Sequence, residues 1–568
     1  MNIYTGTSIN NEIAIGKIFV YINDDFKIEK RHVKDTDGEI KRLKDAINKA
    51  ISELESLYER ASDKTSLDNA DIFNAHIMIL KDDSFAGFAM NIISSENVNA
   101  EYAINNTKIH FMEMFTNMED EYFKNRAFDI KDVTDRVLSA LTGKKKNKIE
   151  LDEPVILVAE NLTPSETLLL DKNKILAFVL TNGSINSHSS ILAKSMNIPA
   201  LIGTDINLKS NTINDINGIN DVNDVNDVNG IKCINDINDI NGKIAVVDGF
   251  EGKLYIEPDE IILKEKNRRI EENKKEMERL LNLKGKGNIT KSGRKIDVYA
   301  NAMNLSDIDL ALFNDAGGIG LFRSEFIFLE SNDYPTEDEQ FLIYKDILEK
   351  MGEKEVIIRT LDLGADKQTD YLGLDEEENP ALGLRGIRIC LKNKKLFKTQ
   401  LRALLRASVF GNLSIMYPMI ISIEEVKEIK EVVNEVKSEL DKENIKYSEN
   451  IKHGIMVETP AAVMISDELA KEVDFFSVGT NDLTQYTLAI DRGNTKLDKF
   501  YNPYHEAILR MLKIVADNAH KNNIRAAICG ELGSDIDFLD KILEIGYDEI
   551  SIAPGKILKI REKIRSMK

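Results

Sequence analysis

Residues 454–482 read GIMVETPAAVMISDELAKEVDFFSVGTND. Two short apolar runs, 454–457 and 475–478, read as buried strands. Each stops at a polar step: Glu458-Thr459 after the first, Gly479-Thr480-Asn481-Asp482 after the second. A helical stretch lies between them, so the segment reads as one β/α unit and the start of the next. The same alternation extends outward from Lys295 to the end of the chain. Eight strand candidates result: 296–300, 319–322, 355–359, 414–419, 454–457, 475–478, 525–529 and 549–553. Eight β/α units in about 270 residues have the size and rhythm of a closed (β/α)8 TIM barrel. An open doubly wound sheet is the alternative.

Upstream the pattern changes. Residues 1–20 look like a short β segment, with Ile13-Ala14-Ile15-Gly16 and Ile18-Phe19-Val20. From about Asp37, Ile40, Leu43, Ile47, Ile51, Leu54 and Leu57 recur at steps of three and four, the spacing of an amphipathic helix. Helical pattern continues over 68–94, 98–124 and 128–142, which predicts a four-helix subdomain at 21–146. After Lys148 strands return, at 155–158, 177–180, 199–203, 244–248 and 253–256. The opening β segment is expected to join them. The helical subdomain then becomes an insertion in an α/β domain made of 1–20 and 147–258. Residues 259–285, dense in Lys, Arg and Glu, read as a solvated linker helix, and 286–568 form the barrel. The predicted fold class is multidomain α/β.

One stretch stands apart. Residues 213–242 are ten triplets in one frame: IND, ING, IND, VND, VND, VNG, IKC, IND, IND, ING. A period of three matches neither a strand nor a helix, so the Ile and Val residues cannot share one face of either. The segment reads as a low-complexity surface loop inserted in the α/β domain.

The 568 residues carry 75 Lys and Arg against 96 Asp and Glu, a net charge of −21. Such an acidic chain is not expected to bind nucleic acid or to dock on anionic membranes. The triplet repeat holds six Asp and one Lys, so it supplies part of that charge. Three cysteines, Cys233, Cys390 and Cys529, imply no disulfide framework and fit a reducing cytoplasm. The N-terminus lacks a basic-then-apolar signal pattern, and no run of about 18 apolar residues predicts membrane insertion.

Functional groups of a barrel lie at the C-terminal ends of its strands. There the sequence places Arg323, Arg359 through Asp362, Glu458, Asn481, Asp482 and Cys529, with Asp366, Lys367, Arg385, Arg388 and Arg492 in the loops beyond. Singly each has a plain reading: a salt-bridging Arg, a Glu that opens a helix, a core Cys. Together, several cations and a few carboxylates converge on one face of an acidic protein. That is what a Mg2+-dependent site for a small phosphorylated acid needs, because guanidinium forks hold phosphate and carboxylate while Mg2+ takes one or two carboxylates plus substrate oxygens. In the α/β domain, His188 follows Ser187, a candidate N-cap, in the first turn of a helix. Free N–H groups and the positive dipole end would stabilise a phosphate on that imidazole. A histidine that merely helps cap the helix is the alternative.

These residues sit in SHSSILAKSMNIPALIGT, GIGLFRSEFIFLE, IIRTLDLGADK, ENPALGLRGIRI, GIMVETPAA, DFFSVGTNDLTQYTLAIDRGN and AAICGELG. The seven motifs, in this order across almost the whole chain, resemble the Enzyme I family of the bacterial sugar phosphotransferase system, the phosphoenolpyruvate–protein phosphotransferases. The resemblance implies a swivelling phosphohistidine domain, a four-helix insertion that docks the carrier protein HPr, a linker helix and a barrel that forms a homodimer. It implies that His188 is phosphorylated and that Cys529 protonates the enol carbon to give pyruvate. Arg323, Arg359, Arg492 and Asn481 would hold phosphoenolpyruvate, with Lys367 and Arg385 lining the pocket. Glu458 and Asp482 would bind Mg2+, Asp482 also facing the substrate. The family's Gly-Gly-x-Thr-Ser-His is here Gly183-Ser184-Ile185-Asn186-Ser187-His188. That departure motivates one alternative, a catalytically impaired regulatory paralogue that binds a phosphocarrier. The chain also ends at Lys568, soon after the eighth strand, which makes barrel closure a point to check.

Overall fold

The computed structural model describes residues 1–22, 26, 28–62, 67–116, 121–144, 149, 151–163, 166–167, 170–183, 189–190, 193, 198–206, 208, 240–329, 331, 333–364, 377–497 and 499–568. It forms two compact units, Met1–Asn273 and Lys274–Lys568.

The first unit is built on a mixed sheet. Its strands are β1 (Asn2–Thr5), β2 (Thr7–Ser8), β3 (Ile13–Tyr21), β4 (Val155–Ala159), β5 (Ile175–Leu180), β6 (Ala200–Ile202), β7 (Ile244–Asp248) and β8 (Lys253–Ile256). Among the described residues they lie in the order β1-β8-β7-β3-β4-β5-β6-β2. Strand β3 pairs parallel with β4, from Lys17 opposite Val155 to Tyr21 opposite Ala159. The opening segment therefore sits beside strands more than 130 residues away. Both faces of the sheet are covered, and every residue of β4 is buried. This explains why β4 and β5 read as continuous apolar runs rather than alternating ones.

Between β3 and β4 come helices α1 (Thr36–Ser62), α2 (Leu67–Lys81), α3 (Asp83–Glu96), α4 (Ala100–Thr116) and α5 (Glu121–Thr142). Among the described residues five helices stand where the periodicity predicts four. The 68–94 stretch breaks at Asp82, whose extended backbone (φ −70°, ψ 122°) and Oδ1, accepting from the Ser84 N–H at 2.6 Å, cap a new helix. Apolar spacing is blind to such a break, because the same core face continues through it: Phe73, Ile77 and Leu80 before, Phe85, Ala89 and Ile93 after. That core also holds Leu43, Leu54, Ile104 and Val137.

The triplet repeat needs a second correction. Residues 213–239 lie outside the described residues, but the last triplet is part of the fold. Ile240 is buried in the sheet core, Asn241 Oδ1 accepts from the Val20 N–H at 3.0 Å, and Gly242 donates to the Ile18 carbonyl at 2.7 Å. Gly242 has φ +79°, a left-handed value that glycine adopts without steric cost. The last triplet, 240–242, therefore belongs to the folded α/β domain. Cys233 also lies outside the described residues.

Helix α6 (Glu260–Leu281) starts on this unit. Its Lys266 is buried and pairs with Asp248 at 2.8 Å and Glu251 at 2.5 Å. The helix is less solvated at this end than its charge density suggests.

The second unit is a closed all-parallel barrel. Its strands are β9 (Asp297–Ala302), β10 (Ile319–Arg323), β11 (Glu355–Arg359), β12 (Asn412–Tyr417), β13 (Lys452–Val457), β14 (Phe475–Val478), β15 (Arg525–Ile528) and β16 (Glu549–Ile552). Strand β16 pairs with β9, from Glu549 opposite Asp297 to Ile552 opposite Ala300, so closure is complete and the open sheet is excluded. Leu321, Ile357, Met416, Met456, Phe475 and Cys529 fill the interior. Gly454 is required there, since a Cβ on it would lie 2.4 Å from the Phe475 ring. At the N-terminal strand ends, Arg525 bridges Glu355 (2.7 Å) and Glu549 (3.0 Å), a buried charge cluster far from the opposite mouth. No helix among the described residues is long and apolar enough to cross a membrane.

Candidate active site

The C-terminal strand ends form the mouth of the barrel. Parallel register places Arg323, the last residue of β10, directly beside Arg359, the last of β11. Two cations side by side need neutralising, and carboxylates from the adjoining loops supply it. Arg359 is buried; its Nη2 lies 2.6 Å from Glu325 Oε1 and its Nη1 2.9 Å from Asp362 Oδ2. Asp362 serves a second guanidinium, since Arg385 Nη2 donates to both its oxygens at 3.2 Å. Arg385 Nη1 reaches the Tyr486 hydroxyl at 3.0 Å and Asp482 Oδ1 at 3.5 Å. Burial lowers the guanidinium pKa, but the surrounding carboxylates outweigh it and hold both Arg359 and Arg385 firmly protonated. Gln400 braces the framework, accepting from the Leu361 N–H at 2.9 Å and donating to Ser324 Oγ, which donates to the Arg359 carbonyl.

Glu458 follows β13 and is fully buried. Its Oε1 accepts from the Met419 N–H at 2.7 Å. Met419 presents that amide from a left-handed backbone, φ +58°, which a non-glycine residue adopts only when its surroundings require it. Glu458 Oε2 is buried with no hydrogen-bond partner among the described residues. Burial, with Asp482 and Asp362 adding, pushes its carboxyl up to about 8 despite Arg359 and Arg385. An unpaired carboxylate oxygen buried beside Asp482 is the kind of donor a divalent cation satisfies.

Cys529 follows β15 and is buried. Its N–H donates to the Val478 carbonyl at 3.1 Å and its Sγ lies 3.5 Å from that oxygen. Burial, with Glu458 adding, pushes the thiol up to about 11. Asn481 is half-buried and its Oδ1 accepts from the Glu531 N–H at 3.2 Å. Arg323, Asn481, Cys529 and Glu531 line a cavity of about 990 Å³ at the mouth, together with Asp307 and Tyr501.

The barrel thus brings together Arg323, Arg359, Arg385, Glu458, Asn481, Asp482 and Cys529. Arg492 sits on an exposed turn beyond residues 480–488, outside the buried cluster, its N–H donating to Gln485 Oε1 at 3.1 Å. His188 and Lys367 lie outside the described residues. Cys390 is buried on the short helix Ile387–Lys392, away from the cavity lining.

Three family models match the chain in succession. The "PEP-utilising enzyme, N-terminal" model covers residues 5–126, the "mobile domain" model 151–252 and the "PEP-binding domain" model 277–568. The chain belongs to the PEP-utilising enzymes. Among curated members, the phosphoenolpyruvate-protein phosphotransferase of Priestia megaterium is 40% identical over 99% of this chain and 93% of its own length. Those of Geobacillus stearothermophilus and Bacillus subtilis are 40% and 39% identical over the same share of this chain, and over 93% and 94% of their own.

The sequence reading of this PEP-utilising enzyme leaves two supporting residues without a role, although it places Asp362 at the mouth. Glu325 lies inside the quoted motif GIGLFRSEF and Asp362 at the end of the third strand, yet neither is assigned a role there. The available signal is an acid two or three residues after a strand-end Arg. Only the pairing of β10 with β11 shows that both serve Arg359.

Proposed function

We infer that the chain takes the phosphoryl group of phosphoenolpyruvate onto His188, releases pyruvate, and passes the phosphoryl to a histidine of the carrier HPr, as the first step of phosphotransferase-system sugar uptake. The observation that carries this reading is the barrel mouth. Fixed guanidinium groups and two carboxylates with one free buried oxygen gather at the same strand ends as a cavity, lined by Arg323, Asn481 and the protonated Cys529, large enough for a small phosphorylated acid.

Phosphoryl transfer needs positioning and charge neutralisation more than covalent help from the protein. Arg323, Arg359 and Arg385 offer bidentate forks for the phosphate and carboxylate, with Arg492, Asn481 and Lys367 completing the pocket. Glu325 and Asp362 hold two of these forks in place, so little reorganisation accompanies binding. Glu458 and Asp482 would hold Mg2+. No group of three or more metal-binding side chains exists among the described residues, so substrate oxygens would complete its shell. When bound, Mg2+ would neutralise charge on the phosphoryl oxygens. The Cys529 thiol, about 11, stays protonated at neutral pH and has a proton to give the enol carbon. The acceptor is a neutral imidazole nitrogen of His188. The helices between β3 and β4 would dock HPr, the barrel would form the homodimer, and the enzyme would work in the cytoplasm.

The test is pyruvate release from phosphoenolpyruvate. A stoichiometric burst is expected without carrier, and continuing turnover once HPr is added, both dependent on Mg2+. Turnover that needs neither Mg2+ nor carrier would overturn the reading.

A further inference from the structure

A second cavity, of about 410 Å³, lies on the barrel between the helix Ile423–Lys442 and the N-terminal ends of β13 and β14. His453, the second residue of β13, lines it. Glu458 lies five residues further along the same strand direction, roughly 16 Å away at about 3.3 Å per residue. The cavity is therefore separate from the mouth. Its size falls within the range of small-molecule pockets.

Its lining is unusual for so acidic a chain. Lys430 and Lys437, seven residues apart on one helix face, and Lys471 from the facing loop contribute three cations. Two acids oppose them, and both are engaged. Glu472 Oε2 pairs with Lys430 at 2.6 Å, and Asp474 Oδ2 accepts from the His453 backbone N–H at 2.7 Å. The lining keeps an excess of positive charge. At its floor the His453 ring stacks with the buried Tyr417, whose hydroxyl lies 2.8 Å from Nδ1. With that hydroxyl donating to Nδ1, the ring proton sits on Nε2 as a further donor. Burial, with Lys437 and Lys430 adding, pushes His453 down to about 4 against the opposing pull of Asp474. The imidazole is thus neutral at physiological pH within a positive field. Valine and isoleucine walls, among them Val426, Ile429 and Val433, make room for a short apolar body.

We propose that this cavity is a binding site for a small phosphate, with the lysines and the His453 ring holding the oxyanion. Nothing in the chemistry at the barrel mouth uses these residues.

The test uses the full chain with 13C-labelled histidine, titrated with inorganic phosphate and with propyl phosphate while the His453 ring signal is followed. The signal is specific to this cavity, so phosphate binding at the mouth does not interfere. A saturable shift is expected below about 10 mM, and Lys430→Gln with Lys437→Gln should weaken it about tenfold. Lys437→Arg should retain it, and all these variants should keep wild-type pyruvate release in the absence of phosphate. Tighter binding of propyl phosphate would assign the site to phosphate esters, and equal binding would assign it to free phosphate; either supports the proposal. No saturable shift, or one that the double variant leaves unchanged, would overturn it.

Discussion

Asp362→Asn isolates the carboxylate that stands between two guanidinium groups. Asp362 accepts from Arg359 Nη1 at 2.9 Å and from Arg385 Nη2 at 3.2 Å on each oxygen. Asparagine keeps the shape and one acceptor oxygen but turns an amide NH2 toward one of the forks. One charge-assisted interaction is then lost, at about 1.5–3 kcal/mol. Each guanidinium keeps another partner: Glu325 for Arg359 at 2.6 Å, and Asp482 for Arg385 at 3.5 Å. The cost should therefore fall below the roughly 3–5 kcal/mol expected when a buried charge is left wholly unpaired. If the lost interaction orients the forks for substrate, kcat/KM for phosphoenolpyruvate should drop about 10- to 100-fold, with KM rising as well as kcat falling. Pyruvate release with HPr in excess measures this, and urea unfolding of the same sample reports stability. A folded variant whose kcat/KM stays within about threefold of wild type would refute a positioning role for Asp362.

Other predictions follow from the same geometry. Cys529→Ala should still bind phosphoenolpyruvate but release pyruvate at least about 100-fold more slowly, since a positioned acid contributes about that much; stopped-flow pyruvate detection checks it. Deleting 213–239 should leave phosphoryl transfer intact, whereas deleting 213–242 also removes buried Ile240 and should cost about 2–4 kcal/mol in urea unfolding. Glu549 is pushed up to about 8 by burial, with Glu355 adding and Arg525 opposing. The folded chain then holds this proton while the unfolded chain loses it above about 4.5, so barrel stability should fall between the two values as pH rises. Glu549→Gln should flatten that fall by up to about 1.4 kcal/mol per pH unit, and an unchanged slope would remove Glu549 as its cause.

The barrel was legible because its strands are apolar runs that stop abruptly at polar residues, and that boundary is the mouth itself. Arg359, Glu458, Asp482 and Cys529 could be placed at one site from this alone, since parallel strands of a barrel put all their ends on one face. What did not show is what depends on geometry across strands or within one turn. Asp362 and Glu325 are ordinary acids in an acidic chain until register sets Arg323 beside Arg359. The break at Asp82 is a single capping residue inside a continuous apolar pattern. Ile240 looks like one more triplet until the sheet core is seen to include it. The buried state of Glu458 Oε2 and the raised thiol of Cys529 arise from the closed packing of eight strands. No local pattern encodes them.

In the proposed reaction the phosphoryl group moves to His188. Brief incubation with phosphoenolpyruvate and Mg2+, digestion at alkaline pH and mass spectrometry of the peptides locates it directly. One phosphorylated residue is expected, His188, with a label that is acid-labile, base-stable and absent from His188→Ala. A label on another residue, or one that survives in His188→Ala, would contradict it.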